Sequence, residues 1–314
     1  MFRIFSRLYV DMKFGKLSDI SGVNFSLPPV NENTLKRLGG ASARGKFKAY
    51  VGLSRWASKD WLGQLFPPKT KQADYLHFYS QSFNTIELNT THYRIPKMEQ
   101  VEKWVDQAAE GFVFCPKIPQ TISHYRKMIN SDTEIEMFVE AIRLFGDKMG
   151  CSFVQMHESF GPSQMENLKD FVRKWPEDVP ISFEFRHPDW FEEQQTFPEV
   201  LDILSSKGFG MVTTDVSGRR DVLHTDLTNK TAMIRLVGNS LHPTDYNRFD
   251  QWLERLALWV DNGLEELYIF PHEPEDPKAS DYGKYMIEGL NKEFGLGLTI
   301  PGIPDESAGQ MSLF

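Results

Sequence analysis

The residues most suited to chemistry lie together in 181–190, Ile181-Ser182-Phe183-Glu184-Phe185-Arg186-His187-Pro188-Asp189-Trp190, where an apolar run ends in an acid, a base, an imidazole and an indole. On a β-strand successive side chains alternate between faces, so Phe183 and Phe185 share one face while Glu184 and Arg186 share the other. A strand covered on both sides carries charges where its polar face lines a site, or where the charges satisfy each other. A site wall and an internal Glu184–Arg186 ion pair are therefore both consistent with this stretch.

Further reactive side chains end other apolar runs. Strands are predicted at 48–54, 85–89, 112–117, 151–156, 181–186, 210–215, 232–237 and 266–270, separated by segments with helical periodicity. Tyr75, Leu76 and Tyr79 form one such stripe, Val101, Trp104 and Val105 another, and Phe249, Trp252, Leu256 and Trp259 the clearest; these stripes read as packing. Only 217–230, after the sixth strand, lacks a helical pattern. Eight βα units in roughly 250 residues fit a single (β/α)8 barrel. The alternative, a doubly wound open sheet, lacks a glycine-rich dinucleotide loop or a phosphate loop after any strand. The expected organisation is an irregular extension over 1–46, a barrel over 47–295, and a flexible tail over 296–314, with Met12 a candidate start.

In such a barrel the C-terminal strand ends form the site. Alternation places Glu87 and Asn89, Lys117, Gln155, Asp215 and Arg235 on inward faces, with Tyr93, His124, His157, His187, Trp190 and His272 just beyond. Lys117, Arg186 and Arg235 suit an anionic ligand such as a phosphate or carboxylate, with Asn89, Tyr93, His124 and Trp190 completing the binding wall. Glu184, Glu87, His187 and Asp215 are the catalytic candidates for proton transfer. The carboxylates with histidines would also suit a divalent metal, but close-spaced ligand motifs such as HExxH are lacking, and no cofactor is expected. Neither a G-x-S-x-G elbow nor an activated cysteine context points to a nucleophilic triad.

Composition narrows the partners. A net charge of −8 argues against a broadly basic nucleic-acid-binding surface, without excluding a local cationic pocket. No apolar run reaches the roughly 20 residues of a membrane span, and 1–10 lacks a signal cleavage pattern. Cys115 and Cys151 sit in apolar runs and read as buried free thiols, which with the rest fits a cytoplasmic protein.

Four stretches, taken together, resemble the YecE-like family, domain of unknown function 72. They are 50–56 (YVGLSRW), 83–94 (FNTIELNTTHYR), 111–117 (GFVFCPK) and 183–191 (FEFRHPDWF). The resemblance runs in order through nearly the whole barrel. It implies a TIM-type barrel with a polar pocket, similar in broad architecture to sugar isomerases and barrel endonucleases. The motif residues it carries over are Glu87, Asn89, Tyr93, Lys117, His124, Glu184, Arg186, His187, Trp190, Asp215 and Arg235. The chain departs from the family pattern twice: Met156-His157-Glu158-Ser159 replaces a Leu-Pro-Pro-type loop, and Phe270-Pro271-His272-Glu273 replaces an asparagine-rich strand end.

Separately, Gln310-Met311-Ser312-Leu313-Phe314 resembles the short peptide by which bacterial proteins bind the DNA polymerase sliding clamp. A glutamine amide at a pocket mouth with adjacent Leu and Phe in an apolar cleft gains roughly 3–6 kcal/mol before ordering costs, enough for a weak tether. The sequence thus supports an enzyme acting on a small anionic substrate, a nucleic-acid component among the options. A sugar isomerase or hydrolase is the alternative enzyme class, and a binding module recruited to replication or repair by its tail is the non-enzymatic one.

Overall fold

The computed structural model describes residues 15–192 and 196–303; the opening stretch with Met12 and the peptide 310–314 lie outside the described residues. Its strands are β1 (Lys48–Leu53), β2 (Thr85–Leu88), β3 (Val113–Pro116), β4 (Ser152–Gln155), β5 (Ile181–Glu184), β6 (Gly210–Asp215), β7 (Thr231–Val237) and β8 (Glu266–His272). They hydrogen-bond in parallel in the order β3-β2-β1-β8-β7-β6-β5-β4. The two ends of that order meet: Gly150 N donates to Phe114 O at 2.8 Å and Ile118 N to Phe153 O at 2.9 Å. The sheet closes on itself, and the open-sheet alternative falls away.

The outer ring consists of α1 (Glu32–Leu38), α2 (Tyr75–Ser82), α3 (Thr90–Tyr93), α4 (Met98–Gln107), α5 (Asp132–Arg143), α6 (Met165–Lys174), α7 (Asp189–Glu192), α8 (Thr196–Ser206), α9 (Pro243–Asp261) and α10 (Asp276–Phe294). The sequence stripes are their inward faces: Val101 and Trp104 on α4, Leu168, Phe171 and Val172 on α6, and Phe249, Trp252, Leu256, Trp259 and Val260 on α9 are all buried. Between β6 and β7 the described helix is a single 3-10 turn, Arg220–Val222, as the polar composition there predicts. The N-terminal extension is more ordered than its prolines and glycines suggest. α1 starts where Asn31 Oδ1 accepts from Asn33 N at 2.9 Å, and ends at Gly39, whose φ of 92° is left-handed.

Side chains inside the barrel form layers, as packing of a small barrel requires. Val113, Cys115, Cys151, Phe153, Val212, Met233, Tyr268 and Phe270 make an apolar cluster, and the charged residues lie towards the C-terminal strand ends. Both cysteines are free and buried; burial raises the Cys115 thiol and pushes Cys151 up to about 12, so neither is a ready nucleophile. Among the described residues no helix is long and apolar enough to cross a membrane.

One contact constrains the barrel wall closely. Leu53 N donates to the buried Tyr79 hydroxyl at 2.6 Å, which donates to Thr85 O at 3.0 Å, stitching β1 to β2 from the helical layer. At Gly52 an added Cβ would lie 2.1 Å from the Thr85 carbonyl oxygen. Gly52→Ala must therefore separate β1 from β2, and is expected to lower stability by about 3 kcal/mol in urea unfolding. Gly45→Ala, where a Cβ meets nothing within 4 Å, is the control and stays within about 0.5 kcal/mol. Equal midpoints for the two variants would refute this account of the wall.

Candidate functional site

The C-terminal mouth of the barrel is built around Arg235 of β7. Its guanidinium spans the interior, with Nε 2.9 Å from Glu87 Oε2, Nη2 3.0 Å from Glu87 Oε1, and Nη1 2.9 Å from Glu184 Oε2. Glu87 comes from β2 and Glu184 from β5, so one planar fork ties three separated strands. Arg186 Nε adds a bond to Glu184 Oε1 at 2.7 Å, and Gln155 Nε2 reaches the two Glu184 oxygens at 3.2 and 3.0 Å. Gln155 Oε1 in turn accepts from Lys117 Nζ at 3.0 Å. On the opposite side Glu87 is met by Asn89 Nδ2 at 2.8 Å and by His272 Nε2 at 2.9 Å. The ring of Phe153 lies beneath, 5.8 Å from the Arg235 guanidinium carbon.

Comparison with known proteins places this barrel. A family model described as "Protein of unknown function DUF72" matches residues 50–305. The chain belongs to the DUF72 family. It is similar to the UPF0759 protein YecE of Escherichia coli K12, with 28% identity over 277 residues, covering 82% of this chain and 98% of that protein. It is also similar to the UPF0759 protein YunF of Bacillus subtilis, with 25% identity over 279 residues covering 78% and 95%. Among solved structures, a DUF72 family protein of Enterococcus faecalis matches with a TM-score of 0.62 at 19% identity, covering 78% of this chain and 98% of that one, a likeness of fold.

Within this DUF72 barrel, Glu87, Asn89, Lys117, Glu184, Arg186 and Arg235 converge, as their strand phase predicts. The Glu184–Arg186 ion pair exists, yet it is one part of a larger network. Burial raises the Glu87 carboxyl, but Arg235 and His272 outweigh it and hold the group well below the usual carboxylate range. For Glu184 burial likewise pulls upward, and Arg186 and Arg235 bring it down to about 2. Both are ionised at neutral pH, so neither has a proton to give there.

Three predicted residues stand elsewhere. The expectation that Asp215 lines the interior is corrected: with Met211 and Thr213 it faces the helical layer. There it accepts from Arg248 Nη1 at 3.1 Å, Trp252 Nε1 at 2.9 Å and Arg220. Arg248 is itself fully buried, pairs with Asp245 at 2.7 Å, and carries Phe25 of the extension over its guanidinium at 5.0 Å. Trp190 offers no wall to the mouth; it is fully buried, donates to Phe160 O at 2.6 Å, and packs edge-to-face on Phe185. His187 is held by its own loop, with Nδ1 accepting from Asp189 N at 3.3 Å and its ring against Gly161, where a Cβ would come within 3.2 Å.

His124 and Tyr93 lie on the rim, Tyr93 42% exposed. Gln155 and His272 were placed at the mouth by alternation and loop position, but nothing in the sequence disclosed their partners. Arg248 carries one signal in the sequence, a charged residue inside the apolar stripe of α9, three positions after Asp245. Among the described residues no group of three or more His, Cys, Asp or Glu is arranged to hold a metal ion. Glu273, next to His272, turns aside to accept from Ser240 N at 2.8 Å, and burial and Asp245 push it up to about 7.

These shifts set the response to pH. The depressed Glu184 and Glu87 contribute stability that is complete above about pH 4.5 and lost as pH falls towards 2, about 3 kcal/mol for Glu184 alone. Glu273 has the opposite sign: its raised value removes stability as pH climbs from about 4.5 through 7. Urea unfolding across pH 2.5–8 is expected to show both limbs, with Glu273→Gln flattening only the neutral one. A stability that stays level below pH 4.5 would contradict the charge network.

Proposed function

We propose that this DUF72 barrel is an enzyme that hydrolyses a phosphate ester at its C-terminal mouth. The observation that carries the reading is the Glu87–His272 pair. A carboxylate clamped in two-point contact by Arg235 also holds His272 Nε2 at 2.9 Å, which orients the imidazole and leaves Nδ1 for the substrate. His272 lies mostly buried, its side chain 13% exposed, so it reaches the mouth from a sheltered position. Lys117, Arg186 and Arg235 supply cationic donors for the phosphate oxygens and for the charge that builds as water attacks phosphorus.

In this reading His272 removes the proton from the attacking water, and the new P–O bond forms as the P–O bond to the ester oxygen breaks. The leaving oxygen takes a proton from solvent, to which His272 returns its own, so that an alcohol and phosphate are released. Glu184 and Glu87 stay ionised and hold Arg186 and Arg235 in place; this reassigns them from proton transfer to positioning. The acid–base role moves to a histidine that touches the pocket.

A panel of phosphate mono- and diesters with free phosphate as the readout tests this. His272→Ala is expected to lower the rate on any hydrolysed member by about 100-fold or more, with circular dichroism unchanged. An undiminished rate in that variant would remove His272 from the chemistry.

A second reading concerns recruitment. The peptide Gln310-Met311-Ser312-Leu313-Phe314 lies beyond the family match, which ends at residue 305. Its similarity to sliding-clamp ligands supports a tether that brings the barrel to DNA replication or repair. Immobilised clamp is expected to retain the full chain and to release one ending at Gly309; equal retention of both would rule the tether out.

A further inference from the structure

Two rim loops carry the same three residues in the same order. His92-Tyr93-Arg94 follows β2, and His124-Tyr125-Arg126 follows β3. The fold brings the two triplets side by side: the His92 and His124 rings meet edge-to-face with centroids 4.8 Å apart, and His124 meets His157 from the next loop at 5.3 Å. The histidines face the protein. His92 is buried with Nδ1 2.8 Å from Ile118 O, and His124 Nδ1 lies 2.9 Å from Ser123 Oγ. The tyrosines face outward, Tyr93 42% and Tyr125 66% exposed, and Arg94 and Arg126 are exposed beside them.

The first rim triplet is tied to the strand that carries Lys117. Thr91 Oγ1 donates to Lys117 O at 2.7 Å, so the residue before the first triplet is bonded to the lysine that enters the charge network. The second triplet sits on a costly backbone. Thr121–Tyr125 forms a π-turn, and Lys127, Met128 and Asn130 follow with φ of 47°, 69° and 48°. Each non-glycine residue held there costs of order 1 kcal/mol, and both features cluster at functional sites. The loop is nevertheless fixed: Tyr125 Oη donates to Gln120 Oε1 at 3.2 Å, and Arg126 pairs with Glu134 at 2.7 Å. Met128 of this loop packs into the core while Tyr125, three residues before it, is held out in solvent.

We propose that this rim is a binding strip for single-stranded nucleic acid, whose phosphate it delivers to the pocket; the inference rests on the phosphate-ester reading above. Exposed tyrosine planes stack unpaired bases of any identity, and the neighbouring Arg94, Arg126 and Lys127 meet the phosphates between them. Two triplets from adjacent strands match two consecutive nucleotides. A duplex, whose bases already stack on one another, has no free faces for these rings. The net charge of −8 confines the attraction to this strip, so the footprint is short and salt-sensitive.

Fluorescence anisotropy with labelled ten-nucleotide thymidine and uridine strands tests the strip, alongside a duplex of equal length and a calorimetric titration with inorganic phosphate. The chain is expected to bind at least one single strand, with log affinity falling against log salt at a slope of about −2, for three phosphate contacts on a single strand. Tyr125→Ala and Arg94→Ala, both at exposed positions, are each expected to weaken it, the tyrosine by about tenfold, while phosphate binding is unchanged. Absence of strand binding, equal binding of the duplex, or full affinity in both variants overturns the strip. If phosphate still binds in that event, the pocket reading survives alone; if neither binds, both fall.

Discussion

The bridge from Arg235 to Glu87 and Glu184 is the interaction on which the rest of the mouth depends. It joins β7 to β2 and β5 across the interior, between strands that share no backbone hydrogen bond. Two buried carboxylates in an apolar-floored barrel would repel each other and take up protons; a planar guanidinium between them reverses both tendencies. A lysine could not replace it, because a compact ammonium cannot offer two parallel bonds to one carboxylate and a third to another. Removing either acid would leave a buried cation half-paired, a change that typically costs 3–5 kcal/mol. Each remaining polar group then hangs from one end of the bridge: His272 and Asn89 on Glu87, Arg186 and Gln155 on Glu184, and Lys117 through Gln155.

That arrangement divides labour among residues of the same type. Glu87 and Glu184 are acids in name and fixed anions in practice. Asp215, another buried carboxylate at a strand end, belongs to a different circuit: with Arg248, Arg220 and Trp252 it fastens β6 to α9 and receives the N-terminal segment through Phe25. The two circuits lie on opposite faces of one sheet and are separated by the pleat alone. The inner one fills the mouth of the barrel, and the outer one fastens the wall to the helical layer.

The barrel and most of the inner circuit are legible in the sequence, because alternation along each apolar run fixes which residues share a face. Alternation does not say which face is inside. For Glu87, Glu184 and Arg235, apolar neighbours on the other parity mark the helical side. In β6 both parities are mixed, Val212 and Thr214 against Met211, Thr213 and Asp215, and every residue is buried, so the pattern carries no direction. Strand eight is predicted over 266–270, yet it runs on through Pro271, which lacks a backbone donor, to His272. In the structure its pairing with β1 has already ended at Ile269, and His272 O accepts from Gly238 N on the β7 side. Pro271 thus breaks no ladder bond, and the strand runs on to deliver His272. Trp190 and Arg248 were illegible for another reason: their burial is decided by loops and helices distant in sequence.

The two departures from the family pattern border the C-terminal mouth. One puts His157 against His124 at the rim; the other puts His272 against Glu87 inside the mouth. Each change brings an imidazole to a mouth whose carboxylates are locked in the ionised state by Arg235 and its neighbours. The scaffold of strands, carboxylates and arginines is complete without those histidines, since Arg235 pairs both carboxylates by itself. His272 adds an imidazole fixed by Glu87, and His157 extends a row of rings along the rim beside the paired His-Tyr-Arg triplets. What the chain shares with that pattern, the Arg235 bridge above all, thus explains why the imidazoles that depart from it are held where they stand.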